Sequence, residues 1–302
     1  MNITGQGFDP EALRNVWTQV CSTAPDALAD VQQQFGVDFA NAPMGTWGPE
    51  GFHYTPVTVV REDNGGFTVD HVVFALSDRR LVTSQPAVPF PVFNSAIVHM
   101  RLMPELAFAP HGVMYALLHA MSETSRQALT GIQAELDALG EVVSVATRAR
   151  RPEAILTAES TLWRMVQIQR QVTQALRAQA SLIRAARRLY FTSADPWLLE
   201  LAESLQAELN GLKEETTIEY DMLRFLRQLA SGLLANARVG ASMTVGLVVA
   251  LSLGFWCSVF ASALFPAHDW VPIVLGWGVV VVLISLGVVV TRGHRRSTTC
   301  AS

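Results

Sequence analysis

The sequence predicts an α+β protein: a cytosolic α/β N-terminal unit, a long helical stalk, and two C-terminal transmembrane helices. Three observations predict it. First, two long uncharged apolar runs lie near the C-terminal end. They flank the stretch LFPAHDWVP, in which Asp269 is the only charged side chain between Arg238 and Arg292. Second, strand and hairpin signals are confined to the first third of the chain. Third, no proline falls between Pro196 and Pro266, and leucines recur there every three or four residues.

The elements follow in order. Asp9-Pro10-Glu11 starts a short helix with proline in its first turn. DALADVQQQFGVDF reads as a second helix closed by Gly36. Three extended segments come next, at 55–60, 67–76 and 79–84. Asn64-Gly65 is a hairpin signal between the first two. These predict a small antiparallel sheet. QPAVPFPVF, with three prolines, ends it and closes a cytosolic domain over residues 1–93.

From 94 to 238 the pattern is helical, punctuated by Pro104, Pro110, Pro152 and Pro196. A short helix is expected near 94–107, then long helices near 111–149, 153–192 and 196–264. The last carries a stripe of Leu198, Leu201, Leu205, Leu209, Leu212, Tyr220, Leu223, Leu226, Ala230 and Leu234. That stripe runs straight into the first apolar run, and a continuous helix of this extent is roughly 100 Å long.

Each apolar run meets the roughly 20 residues that a bilayer core requires. The first span is placed at 239–265, the outer loop at 266–271, the second span at 272–291 and a basic tail at 292–302. Arg238 precedes the first span, and Arg292, Arg295 and Arg296 follow the second, whereas the loop has no lysine or arginine. Positive flanks stay inside. Both termini are therefore expected in the cytoplasm, in a multi-pass protein of the cell (inner) membrane. MNITGQGFDPEALRNVW has no basic-then-apolar signal.

Composition narrows the function. The net charge of −4 argues against a nucleic-acid partner. Cys21, Cys257 and Cys300 are far apart and form no metal or redox motif. His53, His71, His99, His111 and His119 read as structural; only His111 and His119 share a helix, eight apart. No nucleophile elbow, P-loop or paired catalytic acid is present, so no enzyme activity and no cofactor are expected.

Charge divides unevenly between the last two cytosolic helices. The 153–192 helix carries Arg164, Arg170, Arg177, Arg184, Arg187 and Arg188; Arg170, Arg177 and Arg184 repeat at seven and share a face. The next helix carries Glu200, Glu203, Glu208, Glu214, Glu215, Glu219 and Asp221. Antiparallel neighbours of opposite charge are expected to form flanking salt bridges. The other reading has carboxylates, with Glu208, Glu215 and Asp221 as candidates, facing a neighbouring subunit and binding regulatory divalent cations.

A cytosolic α/β unit, a helical hairpin, one long helix entering the membrane, a short outer loop, a second span and a basic tail follow one another. This order resembles the CorA family of divalent-cation transporters, including its ZntB zinc branch. LADVQQQFGVDF is similar to the family's early helix ending in a Phe-Gly turn, and VVFALSDRRLVTSQP to its final strand pair. FAPHGVMYALLHAMSETSRQALTGIQAELDALGEVV is similar to the start of its helical hairpin, and GHRRS to its basic tail. The family's Gly-Met-Asn motif at the end of the first span is missing: the place reads FASALFPAHDW, with no Asn after Asn236. No selectivity residue carries over from that motif.

The resemblance implies a homopentamer, with divalent cations, magnesium or zinc, as substrate and regulator, and lipid as surroundings. Five copies make Asp269 a carboxylate ring at the outer mouth, and such rings attract cations. His268 adds imidazoles, which suit zinc better than magnesium. The alternative is that the loop is a polar connector, with Pro266 ending one helix and Pro272 starting the next. Ser258 and Ser262, one turn apart, are candidates to line a pore or to pack helices, and Phe265 is a candidate hydrophobic closure. A non-conducting membrane oligomer of structural or sensory role is the alternative function.

Overall fold

The computed structural model describes residues 8–41, 45–48, 50–63, 66–149 and 153–264. For 63, 146–149, 153–159 and most of 233–264 it describes the backbone alone. The order is α1 (Pro10–Val16), β1 (Trp17–Cys21), α2 (Pro25–Phe35), β2 (His53–Asp63), β3 (Gly66–Leu76), β4 (Leu81–Gln85), α3 (Pro91–Leu102), a 3₁₀ turn (Pro104–Phe108), α4 (Pro110–Ala149), α5 (Glu153–Thr192) and α6 (Pro196–Leu264).

Local chemistry sets the boundaries. Asp9 caps α1, its Oδ1 accepting from the Glu11 N–H at 2.9 Å, with Pro10 in the first turn. Gly36 closes α2 in the left-handed region at φ 75°, its N–H donating to the Gln32 carbonyl. Asp195 caps α6 by accepting from the Trp197 N–H at 3.1 Å.

The sheet order is β1-β4-β3-β2. β2 and β3 pair antiparallel from His53↔Leu76 to Asp63↔Gly66, and β3 pairs antiparallel with β4. The expected turn at Asn64-Gly65 lies outside the described residues. β1 runs parallel to β4, with Trp17 opposite Leu81. The sheet is therefore mixed, not antiparallel as the sequence predicted. β1 was hidden because it follows α1 with no turn between them; Trp17 is at once the helix C-cap and the first strand residue.

The sheet is covered on both faces. Val72, Phe74 and Leu76 alternate along β3 toward α3–α6, where they join Phe93, Met100, Leu117, Leu118, Met121, Leu182, Leu189, Leu205 and Leu209 in one core. Val73 and Ala75 point the other way, with Val20 and Val82, under Val31 of α2. Edge strand β2 contains Pro56, which a central strand does not tolerate. Ser181 of α5 accepts the Thr58 N–H at 2.9 Å and so satisfies part of that edge.

Two compact units result. One holds residues 1–141 and 163–225; the other holds 142–162 and 226–302. Within the second, α6 stays helical through Leu264. Among the described residues no helix is long and apolar enough to cross a membrane. The first expected span falls on the last part of α6, where nearly all side chains are undescribed. The outer loop, second span and tail lie outside the described residues.

Candidate functional site

The α6 carboxylates expected from the sequence as candidates sit among defined polar partners. Glu208 accepts from the guanidinium of Arg126, at Nη2, and from Ser122 Oγ at 3.4 Å. One turn pair further on, Gln133 Nε2 donates to Glu215 Oε1 at 3.0 Å and to Glu219 Oε1 at 3.2 Å. Arg126 and Gln133 both belong to α4. The Arg126–Glu208 and Gln133–Glu215 pairs each join residues 82 apart in sequence. A constant offset means that α4 and α6 run parallel in register.

This corrects the expectation of flanking α5–α6 salt bridges. The α5 surface toward the core is apolar or small, with Ala178, Leu182, Ala185, Ala186 and Leu189 buried. Its polar bridge to α6 is the buried bond from Gln179 Nε2 to Thr216 Oγ1 at 2.7 Å. Arg170, Arg177 and Arg184 stand exposed on another face and make no ion pair among the described residues.

Glu208, Glu215 and Asp221 are not brought into one cluster. Glu208 is held by Arg126, Glu215 shares Gln133 with Glu219, and Asp221 is exposed. Among the described residues no group of three or more His, Cys, Asp or Glu side chains is arranged to hold a metal. Ser258 and Ser262 lie on helical backbone in α6 with undescribed side chains; Phe265, His268 and Asp269 lie outside the described residues.

The structure pairs His119 with His99 of α3, not with His111. Their rings stack at 4.7 Å and 13°, with Tyr115 beside both. Stacked rings direct their in-plane lone pairs side by side rather than at one point, which does not suit a shared metal ion. Burial, and then the neighbouring His119, hold the His99 pKa below the ordinary histidine value. Burial also lowers His111 and His53; Asp78 opposes the shift at His111, and the charge of Arg188 adds to it at His53.

These shifts have a definite sign. A histidine depressed in the folded state lets the unfolded chain take up protons first as pH drops below about 6.5. Stability is full above that pH and is lost on the way down to the folded-state value. The thermal midpoint of the full chain in detergent is expected to fall between pH 7.5 and 5.5. His99→Gln should make that fall smaller; an unchanged pH slope in the variant counts against the His99 contribution.

The comparisons with known proteins concern the fold. No family model matches the chain, and no curated protein matches it in sequence. Solved structures do match. The CorA magnesium transporter from Methanocaldococcus jannaschii aligns with 92% of this chain and 90% of its own, at a TM-score of 0.60 and 11% identity. The full-length CmaX protein aligns over 92% and 88%, at a TM-score of 0.59 and 17% identity. The soluble domain of the M. jannaschii CorA aligns over 72% and 88%, at 0.53 and 12%. The chain has a CorA-like fold: mostly helical, with a small mixed sheet.

Proposed function

We propose that this chain is a CorA-like membrane transporter or channel for divalent metal cations, of the magnesium, cobalt or zinc class, that works as a homopentamer gated by its cytosolic domain. The observation that carries the reading is the shared fold with a full-length magnesium transporter over 92% of the chain. It joins the two uncharged runs and their basic flanks. Both termini lie in the cytoplasm of the cell membrane. His268 and Asp269, repeated around the axis, form the outer mouth in place of the missing Gly-Met-Asn; Ser258 and Ser262 contact the hydrated ion, and Phe265 closes the path when the pore is shut. Gating draws on the α6 carboxylates, of which Glu215 and Asp221 are exposed to a cation or a neighbouring copy.

A second reading has its own observation. With no Gly-Met-Asn and no Asn after Asn236, the chain fits a non-conducting relative that keeps the architecture for a structural or sensory role.

Flux into proteoliposomes loaded with Mg²⁺- and Zn²⁺-sensitive dyes separates the two. Wild-type protein is expected to pass at least one ion, and Asp269→Ala to pass it several-fold more slowly. Flux equal in the variant removes the mouth role of Asp269. Absence of either flux from folded, oligomeric protein selects the non-conducting reading.

A further inference from the structure

Two exposed faces of the first unit complement each other and are not matched among the described residues. On α5, Trp163, Arg170, Arg177, Arg184 and Phe191 follow one another at intervals of seven, so they form one stripe. Its aromatic ends are exposed, Trp163 at 70% and Phe191 at 68%. Across 163–192 there are six arginines and no carboxylate. On α6, Glu200, Glu214 and Asp221 fall in one register of seven, beside Ile218, Met222 and Phe225. These too are exposed, Ile218 at 63% and Phe225 at 58%. None of Arg170, Arg177, Arg184, Glu200, Glu214 or Asp221 has a side-chain hydrogen bond or ion pair among the described residues.

Each face thus combines large apolar side chains with charge that is basic on α5 and, with Arg224 at its edge, predominantly acidic on α6. Tryptophan, arginine and phenylalanine are the residue types that concentrate at protein interfaces. The spacing also agrees. Arg177 and Arg184 are seven apart, as are Glu214 and Asp221, so one pair of charges is separated by about 10.5 Å on each helix; Glu200 stands two such steps before Glu214, with Ala207 between.

We infer that the arginine stripe of α5 on one copy of this chain docks on the acidic, apolar face of α6 on the next. This rests on the self-association in the proposed function and assigns it a surface. Arginine–carboxylate pairs hold the copies, and Trp163, Phe191, Ile218 and Phe225 are covered in the same step. On Asp221 this reading competes with a regulatory cation: a guanidinium occupies the place that the cation would take.

Zero-length carbodiimide coupling of the full chain in detergent tests it. Guanidinium does not couple, so Arg170, Arg177 and Arg184 are changed to lysine, which keeps the charge. Covalent dimers on a denaturing gel are expected, with peptides linking these lysines to Glu200, Glu214 or Asp221. Isotope-mixed chains identify the links as intermolecular. Arg170→Glu, Arg177→Glu and Arg184→Glu together should weaken association of the full chain, measured by light scattering, by at least about tenfold, because like charges then oppose one another. Reversing Glu200, Glu214 and Asp221 to arginine in the same chain should restore association by light scattering. Wild-type chains that are monomeric at every concentration overturn the self-association reading and this one together. Oligomers whose links map elsewhere, or that require Mg²⁺ and ignore the charge reversals, overturn this inference alone.

Discussion

Trp17→Ala is expected to destabilise the fold by about 3–5 kcal/mol, the usual cost of truncating a buried large aromatic. Trp17 is 6% exposed and sits edge-on to Phe93 at 5.6 Å. Its indole N–H donates to Thr83 Oγ1 at 3.0 Å, across the β1–β4 pairing. The side chain therefore fastens a strand that has one sheet neighbour and only five residues. Trp17→Phe separates the two contributions. It keeps most of the packing, loses the hydrogen bond, and should cost about 1 kcal/mol. Thermal midpoints of the full chain in detergent measure both; for a unit of this size each kcal/mol corresponds to about 2–4 °C. Equal midpoints for the two variants would place the whole effect in the hydrogen bond.

Glycine-to-alanine changes in α4 are expected to act with opposite signs at its two ends. At Gly112 a Cβ would stand 2.5 Å from the Leu106 carbonyl oxygen and 2.9 Å from Leu106 Cα. Both atoms are backbone of a fully buried residue in the 3₁₀ turn. The turn and helix must part, so Gly112→Ala should destabilise by about 1–3 kcal/mol despite its better helix propensity. At Gly140 nothing lies within 4 Å of the added Cβ. There propensity acts alone, and Gly140→Ala should stabilise by about 0.8–1 kcal/mol. A lower midpoint for Gly140→Ala, or an unchanged one for Gly112→Ala, would contradict the packing argument.

The long helices were legible because proline and the spacing of leucines declare them. α4, α5 and α6 start and stop within a residue or so of the expected positions. Strand β1 was not legible, since a helix that passes into a strand without a turn leaves no punctuation at Trp17. The sheet's parallel pairing was hidden with it. The acids of α6 were visible in the sequence, but their partners were sought on α5, the next helix along the chain. The structure puts Arg126 and Gln133 of α4 there. A signal existed: these two are seven apart, as are Glu208 and Glu215, but matching them requires knowing that α4 and α6 run side by side. The His99–His119 stack joins two elements, so no spacing within one helix announces it. The expected mouth residues His268 and Asp269 belong to the stretch beyond Leu264, and only the flux experiment addresses them.

The equal offset of 82 between Arg126 and Glu208, and between Gln133 and Glu215, makes the contact between α4 and α6 a toothed rack. Sliding α6 by one turn would set Arg126 against Leu212, a side chain of the buried core. With the same face of α6 kept toward α4, the nearest shift that returns a carboxylate to Arg126 is a full seven residues, about 10.5 Å, and it brings Met222 to Gln133. There is no comfortable half-step. Any slide of α6 along α4 shorter than that breaks both contacts, so the register between the two helices is set in steps of two turns.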